Sequence, residues 1–233
     1  MTQATVKTAS LYPDSDGKPM AENTQQYRWI VRLVTNLRQL FQNQTAFVAG
    51  DLFLYPIQVD EPPAPSQAPD AMVVLGRPDG DRLSYKQWEE DNVIPQVVFE
   101  IISPSNSASE IAKKQAFYDR YGVLEMFFYD PEDFEFWGLT RPTPDSQLTL
   151  LTRLNLPWTS PTLGIKFDMF DDGLALFYPN GEPFKDPEDL FLERAQAQIE
   201  RDQAQIERDQ AQLRLNRAIA KLQELGIDPT ELE

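Results

Sequence analysis

Residues 96–129 constrain the fold more than any other stretch of the chain. The run QVVFEII at 96–102 is almost continuously apolar and of strand length, as expected of a strand buried on both faces. A helical pattern follows over 107–121. It opens with Ser107 and, three residues on, Glu110, the signature of a capping box, and Gly122 stands where a helix C-cap belongs. A second apolar run, LEMFFY at 124–129, is ended by Asp130-Pro131. Strand, helix and strand at this spacing make a crossover, which is parallel and almost always right-handed. The chain is therefore expected to build a partly parallel sheet with a helix laid on it.

Around this unit the pattern predicts a mixed α/β sheet flanked by helices, with a β-rich extension. Apolar residues at three- and four-residue steps from Tyr27 through Ile30, Val31, Val34 and Leu37 to Phe41 predict an amphipathic helix capped by Asn23 or Thr24. Thr45–Val59 alternates and is broken by Gly50-Asp51, giving a hairpin or two short strands. EPPAPSQA at 61–68 is a loop, because no regular element passes through so many prolines. Ala71–Leu75 predicts a strand, Ser84–Glu90 a short helix, and 134–178 several short strands between Pro and Gly turns. Residues 1–22 read as a polar leader, 23–181 as the folded domain and 182–233 as a helical appendage. In the appendage QAQIERD at 196–202 recurs unchanged at 203–209 and as QAQLRLN at 210–216. Ile199, Ile206 and Leu213 fall in heptad register, but Gln196, Gln203 and Gln210 leave half the seam polar. The repeat is either a long solvated helix grown by tandem duplication or an oligomerising coiled coil ending at Gly226.

The chain has 0 Cys and 0 His. Disulfides, thiolate metal sites, cysteine nucleophiles and histidine bases are thereby excluded, leaving chemistry to carboxylates, Lys, Arg, Tyr, Ser and a hard metal ion. The net charge of −16 argues against broad, non-specific nucleic-acid binding. It permits a local groove or a carboxylate cluster offset by Mg²⁺. The acidity, the missing cysteines and the polar N-terminus lead us to expect a cytoplasmic protein with neither secretory signal nor membrane span.

Three residues stand out for chemistry. Asp70 follows Pro69 at the head of an apolar strand, and Glu100 lies inside QVVFEII, where an ionised carboxylate is costly without compensation. Lys114 shares the stripe of Ile111, Tyr118 and Tyr121, whereas Lys113 falls about a hundred degrees away, toward solvent. Taken bare, Glu100 and Lys114 read as a buried ion pair joining helix to sheet.

The ordered segments APDAMVV (68–74), PQVVFEIISPSN (95–106) and KKQAFYDRYGVLEMFFYDP (113–131) resemble the Uma-two-type restriction endonuclease family, abundant in cyanobacteria. That family lies within the wider PD-(D/E)XK nuclease superfamily, and the likeness covers roughly 19–180. DGKPMAENTQQYRWIV at 16–31 resembles a cyanobacterial subgroup. The resemblance implies a restriction-endonuclease-like fold in which Asp70 is the first acid and Glu100 the second. The superfamily's lysine stands two residues after the second acid, where this chain has Ile102. The family takes its lysine from the next helix, and Lys114, four before Tyr118, matches that position.

The implied activity is Mg²⁺-dependent (or Mn²⁺-dependent) hydrolysis of DNA phosphodiester bonds. Asp70, Glu100 and the carbonyl of Ile101 would hold the metal, and Lys114 would orient or deprotonate water or stabilise the transition state. Glu22, Gln25 and Gln26 are implied accessories, while Glu125 and Asp130 also fit the pattern, Glu125 as a strand anchor. A homodimer held mainly by the nuclease body is expected, with the C-terminal helix adding contacts to itself or another protein. The competing expectation is a weak or silent nuclease fold that serves as a protein-interaction module through that helix. Ser103-Pro104-Ser105 reads as a strand exit, since no histidine base is available. GRPDGD (76–81) lacks the phosphate-loop spacing. Tyr85, Trp88, Trp137 and Trp158 suit packing better than base stacking, and Arg77, Arg82 and Lys86 are either phosphate contacts or a solvated loop.

Overall fold

The computed structural model describes residues 11–15, 17 and 20–225. The chain divides into two compact units, with the boundary between Lys185 and Asp186. The first unit is built on a six-stranded mixed sheet. In chain order its strands are β1 (Ala46–Ala49), β3 (Ala71–Leu75), β5 (Val97–Ile101), β6 (Glu125–Asp130), β7 (Glu135–Thr140) and β8 (Thr149–Thr152), and they lie side by side in that same order. Only β5 and β6 run parallel, joined across helix α2 (Ala108–Arg120) as the sequence requires. The other neighbours are antiparallel. The capping box forms: Ser107 Oγ accepts from the Glu110 amide at 3.2 Å, and Glu110 Oε2 accepts from the Ser107 amide at 2.9 Å. Gly122 takes φ +87°, the left-handed value that ends a helix at glycine.

Side chains alternate across the sheet and sort the core into two layers. One layer packs Val73, Val97, Phe99 and Phe127 against Ile30, Leu33 and Leu37 of helix α1 (Thr24–Leu40). It is completed by a three-stranded antiparallel sheet of β9 (Trp158–Thr159), β10 (Lys166–Phe170) and β11 (Gly173–Phe177), whose Phe167 is fully buried. The other layer packs Phe47, Met72, Val74, Val98 and Phe128 against Tyr118 of α2.

Thr45–Val59 makes two short strands, the second of the two arrangements its pattern allows, and β2 (Leu54–Tyr55) pairs in parallel with β4 (Tyr85–Lys86) rather than with β1. Two expectations are corrected. Ser84–Glu90 is no helix but β4 and a single 3-10 turn, Gln87–Glu89. Tyr27 is exposed, and Gln26 takes the buried place on α1. Part of the polar leader packs on the body: Tyr12 Oη donates to Val59 O at 3.0 Å, and Tyr55 Oη donates to Pro13 O at 2.6 Å. The second unit carries helix α3 (Pro187–Glu224); the expected stop at Gly226 lies outside the described residues. Among the described residues no helix is long and apolar enough to cross a membrane.

Candidate active site

The register of β3 and β5 creates the site. Ala71 pairs with Phe99 and Met72 with Val98, so one further step sets Asp70 opposite Glu100. Both share the parity of Met72 and Val98 and therefore project toward the α2 layer. Directly opposed residues hold their Cβ atoms about 5 Å apart, a separation at which like charges destabilise a sheet. Glu100 is fully buried and Asp70 nearly so.

Neighbouring groups hold these carboxylates. Lys114 Nζ donates to Glu100 Oε2 at 2.5 Å, and Tyr118 Oη donates to Glu100 Oε1. The two donors are four residues apart on α2 and so share one helix face. Asp70 Oδ2 accepts from the amide of Ile101 at 2.6 Å. The carbonyl of Ile101 accepts from Gln26 Nε2 at 3.0 Å, and Gln26 Oε1 is fixed by the amide of Glu22 at 2.9 Å. Glu22 Oε2 accepts from Ser103 Oγ at 2.6 Å. The structure thus brings Asp70, Glu100, Ile101 and Lys114 together, with Gln26 and Glu22 beside them. Gln25 instead donates to Pro131 O at 2.8 Å.

The electrostatics follow from burying two acids beside one ammonium. Burial and the facing Glu100 push Asp70 up to about 8, against weaker relief from Lys114 and the Ile101 amide. Burial also raises Glu100, although Lys114 and Tyr118 oppose it. Burial alone would lower Lys114, but Glu100 and Asp70 outweigh it and hold the ammonium above its ordinary value. Tyr118 is driven well above the usual phenol range by burial and by Glu100.

The site opens into a cleft of about 300 Å³ lined by Glu22, Gln26, Asp51, Asp70, Lys113 and Lys114, among others. Lys113 is solvent-exposed as expected, yet it reaches the cleft rim. Asp51 was not singled out by sequence. Its backbone is at φ +47° and its amide bonds Pro69 O at 3.0 Å, a loop arrangement that no periodicity announces. Among the described residues no three or more Asp, Glu, His or Cys side chains are grouped to hold a metal. The donors expected for a metal, Asp70, Glu100 and the Ile101 carbonyl, are all hard oxygens, and Glu22 and Asp51 add further carboxylates to the cleft wall. Such a set suits a small divalent ion that keeps its remaining positions for water and phosphate.

Other candidates resolve as structure. Glu125 anchors the start of β6, accepting from Ser160 Oγ at 2.5 Å and from Thr162 Oγ1 at 2.6 Å. Asp130 caps the turn after β6 through the amides of Glu132 and Asp133. Arg77 and Arg82 both pair with Glu90. Tyr85 is buried, Trp137 stacks on Phe128, Trp158 joins the Phe127–Phe167 cluster, and Trp88 meets Tyr12.

The family model described as "Uma2: Putative restriction endonuclease" matches residues 15–169. The chain belongs to this family. The match spans every strand of the main sheet, both of its helices and all the residues of the cleft. Among solved structures, the Uma2 chain is similar to one titled a putative nuclease belonging to DUF820 from Anabaena variabilis ATCC 29413. The two share 15% sequence identity and a TM-score of 0.41, over 63% of this chain and 77% of that one. No curated protein matches the chain.

Proposed function

We propose that this Uma2-family protein is a divalent-metal-dependent endonuclease that hydrolyses DNA phosphodiester bonds with Mg²⁺ or Mn²⁺. Asp70, Glu100 and the carbonyl of Ile101 hold the ion. The observation that carries this reading is the pair of opposed, buried carboxylates, with the Lys114 ammonium bound to Glu100. Two ionised carboxylates beside one ammonium leave the group short of positive charge, while burial first and the facing Glu100 second raise Asp70 to about 8. Restriction-endonuclease-like enzymes generally use divalent metals. When bound, such an ion supplies acidification of water and an offset for the charge growing on the phosphate.

The chain's own residues do the rest. Lys114, kept protonated by Glu100, serves as a fixed cation that orients water and stabilises the transition state rather than as a base. Tyr118 locks the Glu100 carboxylate in place, and Gln26 fixes the Ile101 carbonyl. The cleft admits the scissile phosphate past Lys113.

The deciding experiment is plasmid cleavage by wild type and by the double variant Asp70→Ala, Glu100→Ala in Mg²⁺, Mn²⁺ or excess chelator. Metal-dependent nicking by wild type alone is expected, with the variant at least about a thousandfold slower, the scale seen when preorganised electrostatic groups are removed. Cleavage that persists in chelator overturns the metal role. Absence of cleavage with intact Mn²⁺ binding in calorimetry favours the silent interaction module.

A further inference from the structure

The tandem heptads of α3 present a stripe that the single chain leaves uncovered. Ile199, Ile206 and Leu213 are 62%, 50% and 51% exposed. With these residues at d of the heptad, Glu200, Glu207, Arg214 and Lys221 occupy e, while Asp202, Asp209 and Asn216 occupy g. The e column thus changes sign along the helix, acidic through residue 207 and basic from 214. Within the single chain the helix supports itself by four-residue steps: Gln196 Nε2 to Glu200 at 2.9 Å, Gln203 Nε2 to Glu207 at 3.1 Å, and Gln205 Nε2 to Asp209 at 2.8 Å. These exposed bonds, like the Lys221–Glu224 pair at 2.9 Å, exchange readily for intermolecular ones.

We infer that α3 pairs with the α3 of a second copy, antiparallel, in the register that sets Glu200 against Lys221 of the second copy and Glu207 against its Arg214. A two-fold makes each contact twice, because an isologous interface repeats every pairing. In the same register Leu213 packs on Gln210 of the second copy, and Ile206 packs on the apolar stem of its Arg217. Asp209 falls beside the neutral Asn216, so no acidic residue at e or g faces another. An in-register parallel pair compares less well: it sets Asp209 against Arg214 of the other chain, but also Asp202 against Glu207, like against like, so its charges cancel where the antiparallel register has two opposite-sign pairings. The half-polar seam makes the association modest and salt-sensitive, since glutamines at a stabilise less than aliphatic residues.

The absence of native cysteine allows a direct test in the full chain. Glu207→Cys and Arg214→Cys combined in one protein should give a disulfide-linked dimer under mild oxidation, and either alone should not. Ile206→Cys, which faces its own copy only in a parallel coil, should not crosslink. Adding Glu200→Lys to the cysteine pair should raise the concentration needed for half-maximal crosslinking at least tenfold, and Lys221→Glu on top should restore it. Circular dichroism checks that each variant keeps its helix. Crosslinking through Ile206→Cys, no crosslinking by the combined cysteines, or a charge swap that fails to restore would each overturn the inference. None of these outcomes depends on cleavage activity.

Discussion

Asp70 is a destabilising residue in the metal-free protein, and its chemistry says at which pH. Its folded value of about 8 stands above the ordinary 3.8. Between the two, the native state keeps a proton that the unfolded chain has released, so stability falls as pH rises through this window. Asp70→Asn keeps an acceptor for the Ile101 amide but removes the charge. In chelator at pH 8 the variant should melt at least about 3 °C above wild type, since roughly 1 kcal/mol moves a domain of this size by 2–4 °C. Near pH 4 the difference should vanish. Calorimetry at the two pH values measures this, and a variant no more stable at pH 8 would show that the opposed carboxylates do not strain the fold. At this scale the sequence was legible where a residue was chemically out of place: an acid inside QVVFEII and a lysine on an inward stripe. Gln26 was legible only as an accessory, because a neutral amide on a helix start looks like ordinary surface until its bond to Ile101 is seen. Arg77 and Arg82 were undecidable because Glu90, which neutralises both, adjoins them only after the loop folds.

Among the elements, those with strong local signals appear where the pattern puts them. The capping box starts α2, the β-rich runs form β5 and β6, and the three- and four-residue steps form α1. What failed was pairing between short segments. β2 and β4 have two residues each, too few to carry a period, and the Pro-rich loop and β3 separate them along the chain. The turn after β1 shows how an element places the site. A Cβ on Gly50 would stand 2.8 Å from Val34 Cγ2 and 3.1 Å from the carbonyl of Asp70, so only glycine lets this turn lie between α1 and the head of β3. Gly50→Ala should cost about 1–3 kcal/mol in urea unfolding, the usual range for overpacking. It should also weaken Mn²⁺ binding measured by calorimetry, because the push falls on the main chain of Asp70. Unchanged Mn²⁺ affinity with lost stability would separate the turn from the site.

The whole molecule sets its own terms for meeting a polyanion. A net charge of −16 repels a duplex at long range, and under the proposed function the cleft, where Lys113 and Lys114 stand among Glu22, Asp51 and Asp70, is where the phosphate must be drawn in. A protein that covers many phosphates with basic side chains loses affinity steeply with salt, with a logarithmic slope of about −0.9 per phosphate neutralised. With the two cleft lysines as the basic contacts of the proposed site, few phosphates would be neutralised, and added salt also screens the repulsion, because the screening length falls from about 30 Å at 0.01 M to about 8 Å at 0.15 M. The two effects oppose each other. At fixed, saturating Mg²⁺, the slope of log kcat/KM for cleavage against log KCl should therefore be shallow, between about −2 and zero, and flattest at the lowest salt. A series of cleavage rates across that range measures it. A slope steeper than about −5 would require an extended basic footprint on the nuclease body and would overturn the view that the cleft and its bound cation alone draw in the phosphate.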